Sequence, residues 1–178
     1  MRARTLIVLR HARAAQVPGL PDRERPLTER GEHDARRIGE ALTGMDLRPD
    51  LVLCSPSART RRTAELALSG AGDAGDAGNA GDAGNGAAPS GADIVFEPVI
   101  YEAYSDELLT LIRRSDPEVR TLMLVGHNPG IHNLVQGLTM ENGDFGFPPG
   151  AFAVIEIDDE WAGLDAGRGV TRWSPGDH

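Results

Sequence analysis

Apolar residues in this chain come in short unbroken runs, and the segments between several of these runs carry apolar residues at helical spacing. The first run is Thr5–Leu9, "TLIVL", with β-branched members, the pattern of a strand covered on both faces. It stops abruptly at Arg10-His11. Residues 12–27 hold Pro18, Pro21 and Pro26 among several charges, which predicts a loop. Thr28 is placed to cap the next helix, with Glu29 in the first turn at its positive end. That helix runs to about Leu42. Ala35, Ile38, Ala41 and Leu42 share one face, Arg36, Arg37 and Glu40 lie mainly on another, and Gly44 is a stop signal. Leu51–Cys54, "LVLC", is a second buried strand that ends in Ser55-Pro56. A helix from about Ser57 to Leu68 follows, with Ser55 or Ser57 as its cap.

Residues 69–92 read "SGAGDAGDAGNAGDAGNGAAPSGA", a near-triplet repeat without a large apolar side chain. Such a segment buries too little surface to offset its ordering entropy, so it is expected to be a flexible insertion. It has too little proline for collagen and lacks the apolar position of calcium-binding nonapeptide repeats. Pattern returns with a strand at Ile94–Phe96 and a helix at Asp106–Arg113. Thr121–Val125, "TLMLV", is a strand that leads into "GHNPG". Pro129 suits the first turn of a helix that continues to about Leu138. Ala151–Ile157 is a further strand and Val170–Trp173 an edge strand. The alternation predicts an α/β fold, a three-layer α/β/α sandwich with a mostly parallel central sheet. Ligands in such folds bind at the carboxyl ends of the strands.

A chain of 178 residues with 40% apolar content fits one domain, residues 1–178, and 4% aromatics means that aliphatic side chains must build its core. The net charge of -9 argues against nucleic acid or an anionic membrane as partner, although a few arginines can still make a local pocket for an anion. Cys54 is the only cysteine, so no intramolecular disulfide forms; it reads as a small buried hydrophobe. With no secretory signal and no apolar run near the ~20 residues of a membrane span, the expectation is a soluble cytoplasmic protein.

Three strands end in chemistry: Arg10-His11, then Ser55 with Arg59 in the next helix, then Gly126-His127-Asn128. In a parallel sheet these ends share one side, so two histidines and two arginines converge. Guanidinium forks match phosphate oxygens. An imidazole near its ordinary pKa is uncharged and nucleophilic at neutral pH, and the helix starts after Ser55 and Asn128 add free N–H groups. A histidine after a strand is often only structural. The conjunction of three strand ends favours phosphoryl transfer instead.

"LRHARA", "SPSARTRRTA" and "LMLVGHNPGI", in this order, resemble the histidine phosphatase (phosphoglycerate mutase-like) superfamily. "RPLTERGEHDARRIGEAL" resembles the segment that follows the family's first motif, and "VGHNPG" with the short length resembles the SixA-type phosphohistidine phosphatases. The resemblance implies a phosphoglycerate mutase-like fold and a covalent phosphohistidine mechanism. It makes His11 the nucleophile, Arg10 and Arg59 (the arginine of S-x-x-x-R) phosphate ligands, and His127 the second pocket histidine, binding phosphate when protonated. The Asn128 backbone N–H adds a donor, while Arg61 and Arg62 fall out of register. Glu102 matches the position of the family's proton donor. Asp106 and Glu107 are weaker alternatives, more in keeping with helix N-terminal charges, and Asp22 and Glu24 in the first loop rank last. SixA-type members lack a strong acid here, which suits an imidazole leaving group that needs little proton assistance. No metal and no organic cofactor is implied. The expected substrate is phosphohistidine on a signalling or phosphotransfer protein; a small-molecule phosphomonoesterase and a non-catalytic phosphate-binding module are the alternatives. Arg13, Arg23 and Arg25 at the pocket mouth could meet an acidic partner or serve only as solvated loop charges.

Overall fold

The computed structural model describes residues 3–69, 91–141, 143 and 145–176. Residues 70–90 of the predicted insertion at 69–92 therefore lie outside the described residues. The strands are β1 (Arg4–Arg10), β2 (Leu51–Cys54), β3 (Asp93–Phe96), β4 (Thr121–Gly126), β5 (Phe152–Ile157) and β6 (Arg168–Trp173). The helices are α1 (Glu29–Gly44), α2 (Ala58–Ser69), α3 (Ser105–Arg113) and α4 (Gly130–Thr139). One sheet runs in the order β3-β2-β4-β1-β5-β6. The first four strands are mutually parallel; β5 runs against β1, and β6 against β5.

The continuous run in β1 is explained by period-two alternation between two covered faces. Leu6 and Val8 join Leu122 and Leu124 in a core with Leu108 and Ile112 of α3 and Leu134 and Val135 of α4. Ile7 and Leu9 join Met123 and Val125 in the opposite core, with Ile38 and Leu42 of α1 and Ala64 and Leu68 of α2. The result is the three-layer α/β/α architecture that the alternation predicts. The chain runs outward from β1 past β4 to β2 and β3 and then returns to β4, which places a crevice at the carboxyl ends of β1 and β4.

Local chemistry sets the helix starts. Thr28 accepts the Gly31 N–H, as the sequence predicts for its helix. Of the two candidate caps for α2, Ser57 takes the task, accepting the Thr60 N–H at 3.3 Å, and Ser55 is left for other work. Pro129 stands at the cap position of α4 rather than in its first turn, one residue earlier than its pattern suggests. Two 3-10 turns, Asp22–Glu24 and Pro98–Glu102, fall where no apolar period exists to announce them. Among the described residues no helix is long and apolar enough to cross a membrane.

α1 and α2 approach so closely at Gly39 that an added Cβ would stand 2.5 Å from the Ala67 carbonyl oxygen. Gly39→Ala must push α1 off α2. The expected cost is about 1–3 kcal/mol of unfolding free energy, measured by urea titration.

Candidate active site

β1 ends at Arg10 directly opposite Gly126, the last residue of its parallel neighbour β4. The next residue on each strand is a histidine, and the His11 N–H donates to the Gly126 carbonyl at 3.3 Å. This pairing brings the imidazoles of His11 and His127 together, with ring centroids 5.3 Å apart and planes inclined by 54°.

Hydrogen bonds fix both tautomers. His11 Nδ1 lies 2.8 Å from the Ala12 carbonyl oxygen. A carbonyl only accepts, so Nδ1 carries the proton, and in the neutral ring Nε2 keeps its lone pair. His127 is held the other way round. Arg59 Nη2 donates towards its Nδ1 at 3.5 Å, so Nε2 carries the proton and donates to Ser55 Oγ at 2.8 Å. Ser55, fully buried just beyond β2, thus orients the second histidine.

Both rings are strongly biased towards the neutral form. Burial pushes His11 down to about 4; the Ala12 carbonyl opposes this, and the charges of Arg59, Arg10 and Arg25 add to it. Burial, then His11 and Arg59, push His127 down to about 3, with Asp22 opposing. The resemblance implies a protonated His127 around a bound phosphate. Without an anion, the same surroundings make it a neutral ring, and an arriving dianion is the charge that would favour its proton.

The arginines reach the pocket from different elements. Arg59, on the first turn of α2, is only 7% exposed. Its Nη1 donates to the Asp22 carbonyl at 2.7 Å and its Nη2 to Asp22 Oδ2 at 2.9 Å. Arg10 Nη1 donates to the Phe147 carbonyl at 3.0 Å, and the Asn128 side-chain Nδ2 donates to the same oxygen at 2.9 Å. The Asn128 backbone N–H has no partner among the described residues and stays available as the donor the sequence suggests. The Gly150 N–H donates to the carbonyls of Arg10 and His11, at 3.2 and 3.0 Å, and ties the β1 end to the turn before β5.

The acidic candidates are distributed differently from their ranking in the sequence. Glu102 closes the second 3-10 turn, is exposed, and makes no hydrogen bond or ion pair among the described residues. Glu107 Oε1 accepts the Tyr104 N–H at 3.1 Å, the work of a helix N-terminal carboxylate, and Asp106 is exposed beside it. Asp22 is the carboxylate that meets the pocket. Besides Arg59 it receives the Tyr101 hydroxyl on Oδ2 and Arg25 Nη1 on Oδ1 at 3.0 Å. The Tyr101 hydroxyl, followed by Arg25 and Arg59, holds this carboxyl far below the usual carboxylate range, against the opposing effect of burial.

Tyr101 carries no signal in the sequence, yet its ring stands edge-on to His127 with centroids 5.3 Å apart. The Arg23 guanidinium covers the same ring at 4.4 Å. Of the other arginines, Arg61 lies over Phe96 and Arg62 pairs with Glu32 and Glu65. Arg13 is exposed, while Arg25 is tied to Ala15 and Asp22. Cys54 is buried and its thiol is pushed up to about 12, chiefly by burial, so it is inert. Among the described residues no cluster of three or more His, Cys, Asp and Glu is placed to hold a metal ion.

Residues 6–75 match the model of the histidine phosphatase superfamily, branch 1. An uncharacterized protein of Mycobacterium tuberculosis is 29% identical over 168 residues, which covers 89% of this chain and 93% of that protein. A crystal structure of a candidate phosphohistidine phosphatase SixA from Agrobacterium tumefaciens has a TM-score of 0.74 at 29% identity, covering 97% of this chain and 99% of that one. A second SixA candidate, from Nakamurella multipartitia, gives 0.72 at 27% identity over 96% of each chain.

The neutral rings make a direct expectation. In ¹H–¹⁵N spectra recorded across a pH series without phosphate, His11 and His127 should keep neutral imidazole signals from about pH 8 down to about pH 5. A midpoint near the ordinary value of about 6.5 for either ring contradicts the burial argument.

Proposed function

From a chain that matches the histidine phosphatase superfamily over residues 6–75 and shares the SixA-type fold along nearly its whole length, we infer a phosphatase that works through a phosphorylated His11, with protein phosphohistidine as substrate. The observation that carries the reading is the tautomer of His11. With Nδ1 committed to the Ala12 carbonyl, a neutral Nε2 lone pair stands in a pocket built from Arg10, Arg59 and His127.

In the first step Nε2 attacks phosphorus, the Nε2–P bond forms, and the bond from phosphorus to the substrate ring nitrogen breaks. The electron pair stays on that nitrogen, so that a ring already protonated at its other nitrogen leaves as neutral imidazole. The guanidiniums of Arg10 and Arg59, the Asn128 N–H and His127 take up charge on the phosphoryl oxygens. In the second step a water oxygen bonds to phosphorus, the P–Nε2 bond breaks, and inorganic phosphate leaves with the protons of the water. His11 returns to its starting tautomer because the Ala12 hydrogen bond never opens.

The choice of phosphohistidine over phosphomonoester rests on the acids. Asp22 is held ionised by its partners, and Glu102 is exposed and unpartnered. A substrate imidazole can carry the needed proton on its other ring nitrogen from solution, whereas an alkoxide needs a donor on the enzyme close by. The arginines at the mouth, Arg13, Arg23 and Arg25, suit a protein partner that presents carboxylates around its phosphohistidine.

Hydrolysis of a phosphohistidine-bearing phosphotransfer protein should exceed that of small phosphomonoesters by about a hundredfold or more in kcat/KM, compared side by side by phosphate release. His11→Ala should lower either rate by about a thousandfold or more. Glu102→Gln should change the phosphohistidine rate by less than about threefold. Faster turnover of a small phosphoester, with a large Glu102→Gln loss, would make the chain a small-molecule phosphomonoesterase. Phosphate binding with no turnover and no acid-labile phosphoenzyme would make it a binding module.

A further inference from the structure

The Asp22 carboxylate sits on Nη2 of Arg59, one of the donors that a phosphoryl group held by Arg59 would need. Both terminal nitrogens of the Arg59 guanidinium go to this one residue, at 2.7 Å to its carbonyl and 2.9 Å to Oδ2. Arg59 is 7% exposed, so little of it is left for a second anion. Carboxylate and phosphate fit the same fork of donors, and two anions do not share one fork.

The loop that carries Asp22 is built to let it go without unravelling. Its base is closed by the bridge between Ala14 and Leu27 and by the Ala15 N–H donating to the Pro26 carbonyl at 2.8 Å. Its tip is exposed and turns at Gly19, whose φ of +83° suits glycine. Arg25 is anchored near the base by Nε on the Ala15 carbonyl at 2.9 Å, and it holds the other carboxylate oxygen of Asp22 at 3.0 Å. A carboxylate displaced from Arg59 therefore keeps a cationic partner.

We propose that Asp22 is an internal anion that occupies Arg59 while the pocket is empty and is exchanged for the phosphoryl group when substrate enters; this rests on reading the pocket as a phosphate site. The exchange solves a physical problem. A buried guanidinium without a counter-charge is strongly destabilising, and the placeholder keeps Arg59 paired between turnovers. It also lowers the apparent affinity for any phosphate, because the competent state is only a fraction of the molecules. Tyr101 sets that fraction by donating its hydroxyl to Oδ2.

The test is calorimetric titration of the full chain with inorganic phosphate at fixed pH and ionic strength. Asp22→Ala should bind phosphate about tenfold more tightly. Tyr101→Phe removes a hydroxyl and no charge, and it should tighten binding by at least about twofold. Glu24→Ala removes a charge in the same turn that makes no ion pair with Arg59, and it should change binding by less than about twofold. Unchanged or weaker binding in Asp22→Ala and Tyr101→Phe, with binding still lost in Arg59→Ala, overturns the exchange and leaves the phosphatase reading standing. Equal tightening by Asp22→Ala and Glu24→Ala overturns it in favour of a general charge effect. Phosphate binding that is absent in both the parent chain and Asp22→Ala, or indifferent to Arg59→Ala, overturns the phosphate pocket and the exchange together. If Asp22→Ala does not fold by circular dichroism, Tyr101→Phe decides by the same criteria.

Discussion

The parallel pairing of β1 with β4, ending at Arg10 opposite Gly126, is the constraint on which the pocket depends. Two strands that end in register deliver His11 and His127 to the same level of the sheet edge. A slip of one residue would turn every side chain of β1 to the other face and separate the rings. The two cores enforce the register, because Leu6 and Val8 fit one helical layer and Ile7 and Leu9 the other. The chemistry is therefore positioned by aliphatic packing well away from it. Gly126 adds a local condition: a Cβ there would press on Ile131 and Ile100 at 3.0 and 3.1 Å, so the strand end must be bare for α4 and the second 3-10 turn to close in.

Electrostatics then sets the protonation of the side chains gathered there. Guanidiniums stay charged in almost any surroundings, while imidazoles in the same surroundings give up their protons. Placing the two types together under partial burial sorts them into anion receptors and neutral nitrogens. Hydrogen bonds to Ala12 and Ser55 decide which nitrogen of each ring carries the proton. The Ala12 carbonyl and the Ser55 hydroxyl thus act as orienters, while the Asp22 carboxylate pairs with the Arg59 guanidinium.

Much of the frame was legible in the sequence because it is periodic. The runs Thr5–Leu9, Leu51–Cys54 and Thr121–Val125 lie within β1, β2 and β4, and the helical spacing of Ala35, Ile38 and Leu42 marks the buried side of α1. Arg10, His11, Arg59 and His127 could be gathered because each follows such a run by a fixed, short distance. Asp22 and Tyr101 could not. They lie in 3-10 turns with no repeat, 79 residues apart in the chain, and only tertiary structure sets one against the other. The same reasoning placed weight on Glu102, one residue beyond the position whose side chain faces His127. In a short 3-10 turn, neighbouring residues diverge sharply in direction, so near alignment by sequence is a weak guide.

The Phe147 carbonyl accepts from both Arg10 and Asn128, and the Gly150 N–H donates to the carbonyls of Arg10 and His11. Every amino acid supplies that carbonyl, and all but proline supply that N–H. One side of the site is thus held by main-chain groups, and residue identity enters through Gly150, whose φ of +82° favours glycine, and through the buried Phe147 ring. A substitution at either position leaves these bonds standing only while the backbone keeps its path, and the gain or loss of a single residue between α4 and β5 would slide both groups out of place. Length, together with these two residues, is what inheritance must guard in this segment.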